Sequence, residues 1–105
     1  MSGAATRGWV DVELGDETLT LKPTLDALIK VERQFGGVRN AAERVQDLNL
    51  TILCQIIAAG AGLNKQEAKD LPEKVFEAGI VKCAGPASEF LATLLNPSGD
   101  DDSGK

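Results

Sequence analysis

The chain opens with strict alternation of apolar and polar residues. Val10, Val12 and Leu14 interleave with Trp9, Asp11 and Glu13; Leu19 and Leu21 interleave with Thr18, Thr20 and Lys22. A period of two puts one set of side chains on a buried face and the other in water. With Gly15-Asp16-Glu17 as the turn and Pro23 as the stop, the pattern predicts a β-hairpin. A hairpin alone is marginal in water, so its valine–leucine face must rest on helices.

After Pro23 the period lengthens to that of a helix. Thr24 is a suitable N-cap, Asp26 suits the positive helix start, and Gly36-Gly37 supplies a stop, which predicts a helix from Leu25 to about Phe35. Its stripe is Leu25, Leu28, Ile29 and Phe35, with Glu32 in the middle. A carboxylate buried without partners is costly. Glu32 is therefore read as a structural polar residue in an apolar stripe, held by a helix start or a basic residue; the other reading is a partner contact.

A second helix, about Val38 to Gln46, carries Val38, Ala41, Ala42 and Val45 on one side. A third, about Thr51 to Ala61, is apolar nearly all round apart from Gln55, the mark of a core helix. Gly60 and Gly62 are read as its end. Asn64-Lys65-Gln66-Glu67 has the form of a capping box and predicts a short helix to about Asp70, broken at Leu71-Pro72. The last helical stretch runs from about Glu73 to Leu95. Phe76, Ile80, Cys83, Ala84, Ala87, Phe90, Leu91, Leu94 and Leu95 share one face, with Pro86 on the polar side. A break into two helices near Gly79 or Gly85 is the alternative.

The predicted fold is α+β, mostly α: an N-terminal hairpin packed on a bundle of about four to five helices. Residues 1–8 read as a flexible N-terminus and residues 9–95 as one globular domain. Residues 96–105, Asn-Pro-Ser-Gly-Asp-Asp-Asp-Ser-Gly-Lys, read as a disordered acidic tail.

Composition narrows the function classes. Apolar residues make up 43% of the 105 and charged residues 26%, an ordinary globular balance. The net charge of −5 and the scattered lysines and arginines disfavour nucleic acid and anionic membranes as partners. Histidine is absent, which removes the commonest general base and most zinc sites. Cys54 and Cys83 sit among apolar residues and read as small buried hydrophobes. The first residues lack a signal-peptide core, and the run Ile52 to Leu63 is too short to span a bilayer, so the expected location is the cytoplasm.

Catalytic chemistry finds no constellation. The glycine pairs lack a Walker lysine and a preceding strand. Asp100-Asp101-Asp102 lacks the spaced loop that calcium needs. Asp11 and Glu13 share the wet face of a strand, with no cleft to separate their pKa values. The expectation is therefore no enzyme, no cofactor and no metal site. What remains is apolar surface. Phe90, Leu91, Leu94 and Leu95, at the end of the last helix, are the candidate partner-binding residues, suited to a helix docking in an i, i+3/i+4, i+7 manner.

The order of these signals resembles a known family. The stretch Trp9-Val-Asp-Val-Glu-Leu, then Thr18-Leu-Thr-Leu-Lys-Pro-Thr-Leu25, leads into Leu28-Ile-Lys-Val-Glu32-Arg-Gln-Phe-Gly36. It continues through Ile56-Ile-Ala-Ala-Gly60 and closes with Gly79 and a Pro86-containing helix up to Leu95. Over residues 9 to 95 this is similar to the small tail assembly chaperones encoded beside tail-tube genes in gene transfer agents, prophages and long-tailed phages. The resemblance implies a protein of virion morphogenesis that transiently binds the tape measure protein in the host cell cytoplasm before the tail tube polymerises. Some proteins of that family are labelled tail tube components, which leaves a minor structural component of the tail as the alternative. The resemblance supplies no catalytic residues.

Overall fold

A computed structural model describes residues 8–97, and the architecture is α+β and mostly helical. The expectations for residues 1–7 and 98–105 lie outside the described residues. The hairpin comprises β1 (Val10–Leu14) and β2 (Glu17–Leu21), paired antiparallel. Five helices follow: α1 (Leu25–Phe35), α2 (Val38–Val45), α3 (Leu50–Ala61), α4 (Leu71–Ala78) and α5 (Ile80–Leu95).

The hairpin turn is two residues, Gly15 and Asp16. Gly15 has φ 68°, a positive angle at the position where a type II′ turn places glycine. The register sets Val10 opposite Leu21 and Val12 opposite Leu19, so the apolar residues of both strands share one face. Val10, Val12, Leu14 and Leu21 are buried, and this face meets α3, α4 and α5. On the wet face Thr20 Oγ1 donates to Asp11 Oδ1 (2.9 Å), and the Lys22 ammonium stands 4.4 Å over the Trp9 ring.

Caps fix the first and third helices. The Ala27 amide donates to Thr24 Oγ1 (3.0 Å), and Gly36, at φ 86°, sends its amide to the Glu32 carbonyl. Asn49 caps α3 by accepting from the Ile52 amide (3.1 Å). These bonds satisfy backbone groups that a helix end leaves unpaired.

Glu32 corrects the expected stripe on α1. The buried residues of that helix are Ala27 and Val31, while Leu25 is 72% exposed and Ile29 37% exposed. At 100° per residue Glu32 lies roughly 120° from the centre of the buried sector. It is exposed to water and needs no buried partner. Leu28 and Phe35 do pack against the core, half-buried, so the buried sector is the expected stripe rotated toward the smaller Ala27 and Val31 and away from Leu25 and Ile29.

The break at Leu71-Pro72 differs from the expected one, and the break at Gly79 follows the alternative reading of the final stretch. The capping box at Asn64 forms in both directions, Asn64 amide to Glu67 Oε1 (2.9 Å) and Glu67 amide to Asn64 Oδ1 (2.8 Å). Residues 65–70 nevertheless remain consecutive turns, because one turn of helix is a nucleus without propagation. Leu71-Pro72 then begins α4 instead of interrupting the chain, since proline fits the first helical turn. The long final stretch divides at Gly79, whose φ of 112° no helix allows. It continues unbroken through Gly85 and Pro86.

Gly60 is not a helix end. It lies inside α3, which stops at Gly62 (φ 71°). A Cβ at Gly60 would meet Leu21 Cβ and Phe90 Cζ, each at 2.9 Å. Its carbonyl accepts from the Lys22 amide (2.9 Å), which ties the end of β2 to α3. At this glycine the hairpin, α3 and α5 meet.

Candidate functional site

The four residues expected to bind a partner do not form a surface. Phe90, Leu91 and Leu94 are buried in the chain's own core, and only Leu95 is exposed, at 72%. The last helix is held by α2, α3, α4 and β1, so its apolar stripe has an occupant already. The sequence shows the stripe but not what covers it.

The open apolar surface lies on α3 instead. Leu53, Ile56, Ile57 and Gly60 are buried at i, i+3, i+4 and i+7. Thr51, Cys54, Gln55 and Ala58 have the same spacing on the far side, roughly 160° away at 100° per residue. This second face lines a groove of about 490 Å³. One wall is Lys30 and Gln34 of α1. The other is the 62–72 segment, through Leu63, Lys65, Ala68 and Leu71. The volume falls within the roughly 300–1,000 Å³ of small-molecule pockets.

The groove is mainly apolar and its charged lining residues are Lys30 and Lys65. Lys30 pairs with Asp26 (3.2 Å), a residue that does not line the groove. Gln34 and Gln55 also line a second hollow of about 430 Å³, beside Phe35, Asn40, Glu43, Arg44 and Ile52. The two hollows therefore adjoin across a pair of side-chain amides. Asn40 Nδ2 donates to the Phe35 carbonyl (3.1 Å), fixing the end of α1 at that edge.

Cys54 stands where the open face of α3 turns into the core. Burial, and secondarily the neighbouring Cys83, push its thiol up to about 11. Burial also raises Cys83, with Lys82 acting in the opposite direction. Both thiols are free and remain protonated at neutral pH, the form that attacks and ligates poorly. Among the described residues there is no buried polar or charged side chain and no group of three His, Cys, Asp or Glu that would hold a metal. Among the same residues no helix is long and apolar enough to cross a membrane.

The other exposed apolar residues are dispersed. Leu25 and Ile29 lie one turn apart on the outer flank of α1, and Phe76 and Val81 lie on either side of Gly79. Comparison of the chain with protein-family models, curated proteins and solved structures finds no match.

Proposed function

We propose that this protein is a tail assembly chaperone of the phage or gene transfer agent type, which holds the tape measure protein transiently in the host cytoplasm and performs no catalysis. The reading rests on the order of sequence signals from Trp9 to Leu95. The observation that carries it furthest is the open apolar groove along α3. A chaperone of this kind needs an apolar surface that is presented to solvent yet does not compromise its own core. Here most of the core is supplied by the opposite face of α3, the hairpin and the other helices, and the groove meets that core at Cys54, Ala59 and Leu71.

The groove also suits release. An apolar cleft of this size supports moderate affinity, because the ordering cost of the bound segment offsets much of the gain from burial. A net charge of −5 favours solubility at the concentrations that assembly requires.

Co-expression with a tape measure protein from the same genome tests the proposal. The expected result is capture of that protein and a gain in its solubility. No capture and no gain would contradict the reading. Mass spectrometry of purified particles separates a chaperone, absent or scarce there, from a minor tail component present at a fixed ratio.

A further inference from the structure

We infer that the groove on the open face of α3 receives one amphipathic helix whose apolar stripe is flanked by carboxylates; this rests on the tape measure reading and names the chemistry of the bound segment. Charge complementarity carries the inference. The protein as a whole is acidic, at −5, yet the charged residues of this groove are Lys30 and Lys65, and no aspartate or glutamate lines it. The neighbouring hollows both include carboxylates, Glu43 in one and Glu17 with Glu67 in another. Of these three hollows, the apolar groove is the one whose lining carries lysines and no carboxylate.

The two lysines are available to a partner. Lys65 is exposed and joins none of the ion pairs among the described residues. Lys30 is held by Asp26, which is 75% exposed, and an exposed pair one helical turn apart exchanges readily for a competing carboxylate. Between them the floor presents Cys54 and Ala58, small side chains that leave depth for larger ones, while Gln34 and Gln55 offer amides to polar groups at the edge of the stripe. A helix docks in such a groove with anchors at i, i+3/i+4 and i+7. The chain's own acidic end does not qualify as the occupant: residues 98–105 contain three aspartates and no apolar residue to fill the floor.

The test titrates the isotopically labelled full-length protein with two synthetic helical peptides. Both carry the same leucine stripe; one is flanked by glutamates and the other by lysines. The glutamate peptide should bind on the order of tenfold more tightly, with amide shifts centred on Thr51, Gln55, Ala58 and Ala68. A Lys30→Glu/Lys65→Glu variant, checked for folding by circular dichroism, should reverse the preference. Equal binding of the two peptides, a preference that survives the charge reversal, or shifts centred elsewhere would overturn the inference. So would sedimentation showing that a second copy of the chain fills the groove. The same variant separates this inference from the one beneath it. If wild type and variant capture the tape measure protein equally, the groove assignment fails and the chaperone reading stands. If wild type captures none, the chaperone reading fails whatever the peptides do.

Discussion

The two faces of α3 are built from the same helix and meet opposite fates. On one side Leu53, Ile56, Ile57 and Gly60 are buried so closely that a single added carbon at Gly60 would strike Leu21 and Phe90. On the other, Thr51, Cys54, Gln55 and Ala58 face an open groove. The contrast shows how a small domain can be stable and still offer apolar surface. The interlocked face carries most of the packing, while the second face adds Cys54 to the core and leaves Thr51 exposed and Gln55 and Ala58 half-buried.

Substitutions on the two faces should therefore differ sharply. Phe90→Ala removes a fully buried ring from against Gly60 and should cost about 3–5 kcal/mol. In a domain of this size that lowers Tm by roughly 15–30 °C in calorimetry. A loss below about 1 kcal/mol would mean that the interlocked face does not carry the fold.

The floor of the groove provides the next test. The Cys54 thiol is raised to about 11 in the folded chain, mainly by burial. A raised pKa means the folded state retains its proton longer than the unfolded state does. The associated stability is complete below about 9 and is lost as pH rises through about 11, amounting to at most about 3 kcal/mol. Urea unfolding between pH 8 and 11 should show this decline in wild type and a shallower one in Cys54→Ala. Lys74, raised chiefly by its hydrogen bond to Glu17, and Cys83, raised by burial, are present in both proteins, so the difference reports Cys54 together with its coupling to Cys83. Identical slopes would mean that water reaches Cys54 freely.

Gly60→Ala should cost about 1–2 kcal/mol, because overpacking outweighs the roughly 1 kcal/mol gained in helix propensity. Denaturant midpoints measure it, and a stabilised variant would show that hairpin and α5 yield easily. Thr51→Leu on the open face of α3 and Glu32→Gln on the exposed side of α1 should each stay within about 0.5 kcal/mol. A larger loss at Glu32 would reinstate a structural role for it.

Local signals made most of the fold legible. Thr24 and Gly36 bound α1 at the residues that their chemistry dictates, and the alternation of Val10, Val12 and Leu14 identifies the buried side of the hairpin. What the chain does not encode locally is which apolar face meets which. The stripe ending in Phe90, Leu91 and Leu94 has the spacing of a docking face, yet it is covered by the rest of the molecule. Gly60 looks like a stop because helix ends are rich in glycine; its reason is the approach of Leu21 and Phe90 from distant parts of the sequence. The groove was equally hidden, since Gln55 in an apolar helix hints at a wet side but does not reveal the walls that Lys30 and Lys65 help to build.

A photo-crosslinking side chain in place of Thr51, on the open face of α3, compared with one in place of Lys82, on the exposed side of α5, asks directly where the partner sits. With the proposed tape measure partner co-expressed, strong crosslinks from position 51 and few from position 82 are expected. Crosslinks from position 82 alone, or of equal strength from both, would show that the open face of α3 is not the surface this protein uses.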